Sequence, residues 1–174
     1  MMSVKIFGCI LIIAACTIAG FQISSGYKER VFELSELLRD VYQLENEMVY
    51  THTPLPEAFV SVSLKSKEPI STIFSNTGNM LCTNKVDSVF DAVKKSINDL
   101  KDVIYLKDED VSIILDLSKS LGQSDLEGQK NIFLLAIESL KKQSEEAERL
   151  MRKNIKMFRY MGFSLGTILV IMIV

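Results

Sequence analysis

The 174-residue chain has no tryptophan, one histidine, three prolines and three cysteines. With His52 as its single histidine, it cannot build a multi-histidine metal cluster or relay. Cys9 and Cys16 lie in an apolar stretch and Cys82 stands alone, so there is neither a disulfide framework nor a zinc-ligand spacing. Alternating apolar and polar runs bounded by Asn-Gly or Asp-Gly are missing, which removes the usual signal for hairpin sheets. Gly122 and Gly128 do not make a phosphate loop. Their spacing fails, Gln129 stands where the lysine belongs, and no strand precedes them. Accordingly no catalytic, cofactor-binding or metal-binding residue is assigned, no cofactor is expected, and the chain reads as a non-enzyme.

Charge is missing at both ends. Of the 42 charged side chains (20 basic plus 22 acidic), all but Lys5 lie between Lys28 and Arg159. Ile6–Ile23 is 18 residues without a charge, and Tyr160–Val174 is a further 15. A helix rises about 1.5 Å per residue, so roughly 20 apolar residues cross a bilayer core. The reading is an N-terminal transmembrane helix over 1–25, a cytosolic helical domain over 26–156 and a C-terminal transmembrane helix over 157–174. Arg149, Arg152, Lys153, Lys156 and Arg159 form a basic collar with no acid after Glu148, and such collars stay on the cytoplasmic side. A competing reading takes Ile13-Ala14-Ala15-Cys16 as a lipobox or the first segment as a cleaved signal. The chain would then be an exported lipoprotein or helical binding module at the cell surface.

The charged middle has strong helical periodicity. Val31, Leu34, Leu38, Val41, Leu44 and Met48 recur at spacings of three and four, with Glu29, Glu33, Glu36, Asp40 and Glu47 on the opposite, solvent-directed face. This helix should end near Tyr50, before Pro54 and Pro56, which are tolerated in the first turn of the next. A second helix is expected to about Lys65 and a third from Pro69 to about Cys82. The fourth should be capped by Asn84 and the fifth by Asp108, the latter stopped at Gly122. Ser124-Asp125-Leu126-Glu127 reads as a capping box opening a last, long helix. The expected fold class is all-α, a six-helix bundle flanked by a transmembrane helix at each end.

From Lys28 to Glu148 there are 14 basic and 22 acidic residues, a formal charge of −8. An anionic surface repels phosphate backbones, so nucleic acid is not an expected partner. The acidity serves as a solvated face or as a docking surface for a basic partner, for which Glu45, Glu47, Glu57, Glu138, Glu145 and Glu146 are the candidates. Tyr50, His52, Pro54 and Pro56 are read as a structural corner, the prolines setting the angle between two helices and Tyr50 and His52 locking it by hydrogen bonds.

The run Leu44-Glu45-Asn46-Glu47-Met48-Val49-Tyr50-Thr51-His52-Thr53-Pro54-Leu55-Pro56-Glu57-Ala58 resembles the signature of the stage III sporulation protein AB family. Leu121-Gly122-Gln123-Ser124-Asp125 and Met161-Gly162-Phe163-Ser164-Leu165-Gly166 are similar to two further stretches of that family. The resemblance implies a membrane component of the channel, or feeding tube, joining mother cell and forespore, located in the mother-cell membrane of an endospore-forming bacterium. It implies a soluble domain similar to the cytoplasmic domain of type II secretion F proteins. The natural partner would be the ATPase-like stage III sporulation protein AA, alongside other channel proteins and the membrane. Type II secretion F proteins usually carry two copies of the domain. This chain has one, so any platform symmetry would come from homo-oligomerisation.

Overall fold

A computed structural model describes residues 25–121 and 126–173 of the chain. The described residues are helical, with no strand among them. A first helix, α1, runs over 25–45 and closes in a π-helical turn, Asn46–Tyr50. It is followed by α2 (Leu55–Ser63), α3 (Ile70–Cys82), α4 (Val89–Asp99), α5 (Asp108–Ser120) and α6 (Leu126–Ile173). Six helices and the all-α class therefore match the sequence reading. The chain divides into two compact units, one over Phe32–Glu145 and one whose described residues are 25–31 and 146–173.

The flanking membrane helices are not part of the described architecture. Among the described residues no helix is long and apolar enough to cross a membrane. The expected N-terminal span, with Cys9 and Cys16, lies outside the described residues except for Ser25. At the other end, the expected span over 157–174 falls in the C-terminal part of α6, which runs to Ile173.

In the larger unit, α2 to α5 pack in chain order, each against its neighbour. Buried Leu34, Leu37, Val41, Leu44 and Met48 of α1 share the core with Phe59 and Val62 of α2 and Ile70, Ile73 and Phe74 of α3. Val93 and Ile97 of α4, Ile114 and Leu117 of α5, and Phe133, Ile137 and Leu140 of α6 complete it. The register of α1 differs from the expected one: Leu37 is buried and Leu38 only half-buried, as is Val31. Two lysines of α6 reach rings of α1, Lys141 lying 5.4 Å from Tyr42 and Lys130 5.7 Å from Tyr50. Residue number rises on one helix as it falls on the other, so the two run antiparallel.

Local hydrogen bonding explains two shifted boundaries. α4 begins at Val89 because the Ser88 hydroxyl accepts the Asp91 N–H at 3.0 Å and donates to the Asp91 carboxylate at 2.6 Å. Asn84, the expected cap, instead ends α3 in the left-handed region with φ 49°, a conformation asparagine tolerates. At α5 the cap position is Lys107, whose N–H is accepted by Asp110 at 2.9 Å. Asp108 is thus the first helical residue. α5 ends at Ser120, and the expected stop at Gly122 and the Ser124-Asp125 half of the expected capping box lie outside the described residues.

The α2–α3 pair is held unusually close. A Cβ at Gly78 would stand 2.7 Å from Val60 Cγ2 and 3.0 Å from the Val60 backbone nitrogen. Between α3 and α4, the buried hydroxyls of Thr77 and Ser96 lie 3.0 Å apart.

Candidate functional site

The Thr-His-Thr-Pro-Leu-Pro segment turns the chain from α1 into α2. The π turn makes the Thr51 N–H donate to the Asn46 carbonyl at 3.1 Å, five residues back. Thr53 then donates its N–H to the Glu47 carbonyl at 2.8 Å and its hydroxyl to the Glu47 carboxylate at 3.0 Å. The same carboxylate accepts the Ser61 hydroxyl at 2.9 Å and the Lys65 ammonium at 3.3 Å. Glu47 thereby ties α1, the corner and α2 together. The Ser61 hydroxyl, then Thr53, then Lys65 hold its carboxyl below the ordinary range.

Pro54 occupies the cap position of α2 and Pro56 its first turn, where a missing N–H costs nothing. The corner is not locked as expected at Tyr50 and His52. Among the described residues neither the Tyr50 hydroxyl nor the His52 ring has a hydrogen-bond partner. His52 takes the left-handed region with φ 56° and is exposed, and Tyr50 is 66% exposed. Thr53 and Glu47 supply the bonds, both half-buried at the turn, while Tyr50 and His52 are exposed.

The acidic row of α1 was expected on the solvent side, and it is largely buried instead. Glu33, Glu36 and Asp40 are all inside the fold. Glu33 accepts the Tyr105 N–H at 2.8 Å, anchoring the connection between α4 and α5. Asp40 accepts the Ser66 hydroxyl, and neighbouring Arg39 donates to the Lys65 carbonyl at 2.9 Å. Glu36 pairs with Arg39 at 2.5 Å and stands 3.9 Å from Lys67. The physical reason is that α1 is covered on more than one face. Loops with unpaired backbone donors and hydroxyls need acceptors there, and a buried carboxylate is tolerated when it is hydrogen-bonded. Burial pushes the Asp40 carboxyl above its ordinary value, outweighing the lowering by Ser66 and Arg39.

The six candidate docking glutamates differ in exposure and in their partners. Glu47 is engaged in the corner, and Glu45 is half-buried one turn from it. Glu57 is exposed at the start of α2, and Glu138 and Glu145 are exposed on α6. Glu146 is half-buried and takes Arg149 in a two-pronged pair at 2.9 and 2.7 Å. Arg152 of the basic collar pairs with Glu148 at 3.2 Å. Sequence reasoning missed Thr53, Ser61 and Ser66, whose hydroxyls carry the α1–α2 joint. Their only sequence signal was a density of small hydroxyl residues on either side of a proline pair. Among the described residues no group of histidine, cysteine and carboxylate side chains is placed to hold a metal ion.

The sequence matches the model of the stage III sporulation protein AB family over residues 5–174. Stage III sporulation protein AB of Bacillus subtilis (strain 168) is 30% identical over 169 residues, spanning 97% of this chain and 98% of the relative. A solved structure of stage III sporulation protein AB superposes with a TM-score of 0.65 at 28% identity, covering 71% of this chain and 96% of that chain.

Proposed function

The chain belongs to the stage III sporulation protein AB family, and from that premise we propose that it is a non-enzymatic, membrane-anchored platform of the mother cell–forespore channel. Its helical domain would face the mother-cell cytosol and dock the ATPase-like stage III sporulation protein AA. The observation that carries this reading is the use made of the acidic side chains on α1. Glu33, Asp40 and Glu47 accept hydrogen bonds from neighbouring segments, while Glu36 pairs with Arg39 on the same helix, as suits a rigid scaffold. The carboxylates left exposed, Glu57, Glu138 and Glu145 among them, are available to a basic partner. Anchorage rests on the uncharged terminal runs and on the basic collar at 149–159, which also attracts anionic lipid.

The test is co-purification from membranes of sporulating cells carrying a tagged chain. The ATPase-like protein should come down with it, and reversing Glu138, Glu145 and Glu146 to lysine should weaken that capture while the domain stays folded. Absence of the ATPase-like protein and of every other channel protein would remove the platform reading.

A further inference from the structure

On the α5–α6 side of the larger unit lies an open groove of about 250 Å³, lined by Ile113, Leu117, Ile132, Leu135 and Ala136, with Asp116 at its edge. Leu135, which lines the groove, is 63% exposed, and Leu134, its neighbour in sequence, is 53% exposed. Two adjacent leucines left bare on a helix whose inner face already fills the core exceed what packing requires. The space is smaller than the several hundred Å³ typical of small-molecule pockets, and it is wide open. It suits side chains projecting from another polypeptide rather than an enclosed ligand.

The charges around it are sorted. Glu109 lies one turn before Ile113 on α5, and Glu138 lies one turn after Leu134 and Leu135 on α6, both exposed. Two of the four lysines near this edge are drawn to aromatic rings of α1. Lys130 and Lys141 lie over the rings of Tyr50 and Tyr42 on α1. Lys119 is shared between Asp116 at 2.9 Å and the Phe90 ring at 5.2 Å. Lys142 stays exposed on α6. The edge thus keeps more acid than base, on a domain whose formal charge from Lys28 to Glu148 is −8 (14 basic, 22 acidic). A second copy would bring like charge to like charge, which disfavours self-association at this face.

We infer that the α5–α6 groove receives an amphipathic helix of a partner protein, its apolar stripe seated between Leu117 and Leu135 and its basic flanks set against Glu109 and Glu138. Leucine-type anchors at spacings of three and four would fill the groove in the helix-in-groove mode. This deepens the platform reading and rests on it, since it states which surface docks and what chemistry it selects.

The test uses the full chain in phosphatidylcholine nanodiscs and a synthetic helical peptide with leucines at three- and four-residue spacing, lysine flanks and one photoreactive leucine. Irradiation followed by peptide mapping reads where the probe sits, independently of any adsorption to lipid. Crosslinks are expected to concentrate in 113–120 and 132–139. They should fall at least tenfold with Leu135→Asp, and likewise when the peptide's lysines are replaced by glutamates. Leu64→Asp, at a leucine 82% exposed on another part of the unit, should leave them unchanged. Crosslinks spread elsewhere, or equal yields for the two peptides, would overturn the inference. So would self-association that disperses on Leu135→Asp, because the occupant would then be a second copy. The two readings fail separately. Co-purification of the ATPase-like protein that survives Leu135→Asp leaves the platform and removes the groove, whereas groove-specific crosslinking without any co-purified channel protein does the reverse.

Discussion

Replacing Gly78 by alanine should loosen the joint between α2 and α3. The added methyl would meet Val60 Cγ2 at 2.7 Å, the Val60 nitrogen at 3.0 Å and Phe59 Cβ at 3.2 Å. Valine is confined to few rotamers in a helix, and the backbone nitrogen moves only if α2 moves. Overpacking of this kind costs about 1–3 kcal/mol. Against it, alanine is favoured over glycine within a helix by roughly 0.5–1 kcal/mol. The net expectation is a loss of about 1–2 kcal/mol, equivalent to about 2–8 °C in the melting temperature of a chain this size. Thermal melts of the full chain followed by circular dichroism would measure it. The second arm combines Gly78→Ala with Val60→Ala, which removes the Cγ2 contact and leaves the backbone contact. The two substitutions should couple favourably, the double variant being more stable than the sum of the singles implies. A Gly78→Ala chain as stable as the parent, or a strictly additive double variant, would refute the close-approach argument.

The Asp40 and Glu47 carboxyls should respond to pH in opposite directions. Glu47 has its native pKa lowered from 4.5, so its stabilisation is complete above 4.5 and is lost as the pH falls through the native value. Glu47→Gln should lower stability near neutrality and flatten the acid side of the melting profile, and an unchanged acid limb would disprove the assignment. Asp40 has its native pKa raised from 3.8, so its contribution declines as the pH rises from 3.8 through the native value. Asp40→Asn should flatten that decline in melts taken from pH 3.8 to neutrality, while still offering Ser66 an acceptor. A reporter fused after Val174 should be inactive in the cytoplasm if the collar orients the chain as proposed. Cytoplasmic activity would reverse the topology.

Much of the helical framework was legible in the sequence, because helix signals are local. Pro54, Pro56 and Pro69 mark where α2 and α3 begin, and the apolar repeat through α1 needs only neighbours three and four residues away. Where two local signals competed, the reading went astray. Asn84 and Ser88 are both good caps, and only Ser88 has Asp91 three residues on with the geometry to bond it twice. Leu37 and Leu38 are equally apolar, and which one enters the core depends on the direction from which α2 and α6 approach. The candidate site was less legible still. A glutamate in a helix looks the same whether water or a distant serine faces it, and Glu47 and Ser61 are fourteen residues apart.

By itself the sequence determined the all-α class, the family, the sorting of charge into an acidic middle and a basic collar, and the position of the proline corner. These follow from composition, spacing and short motifs, which are properties of the unfolded chain as much as of the folded one. Only the tertiary structure decided that the acidic row of α1 is an internal seam, that Thr53 and Glu47 rather than Tyr50 and His52 hold the corner, and that Leu134 and Leu135 are left uncovered. Each of those depends on which segments meet across long stretches of chain. Burial and hydrogen-bond partnership belong to that meeting, and no single residue carries them beforehand.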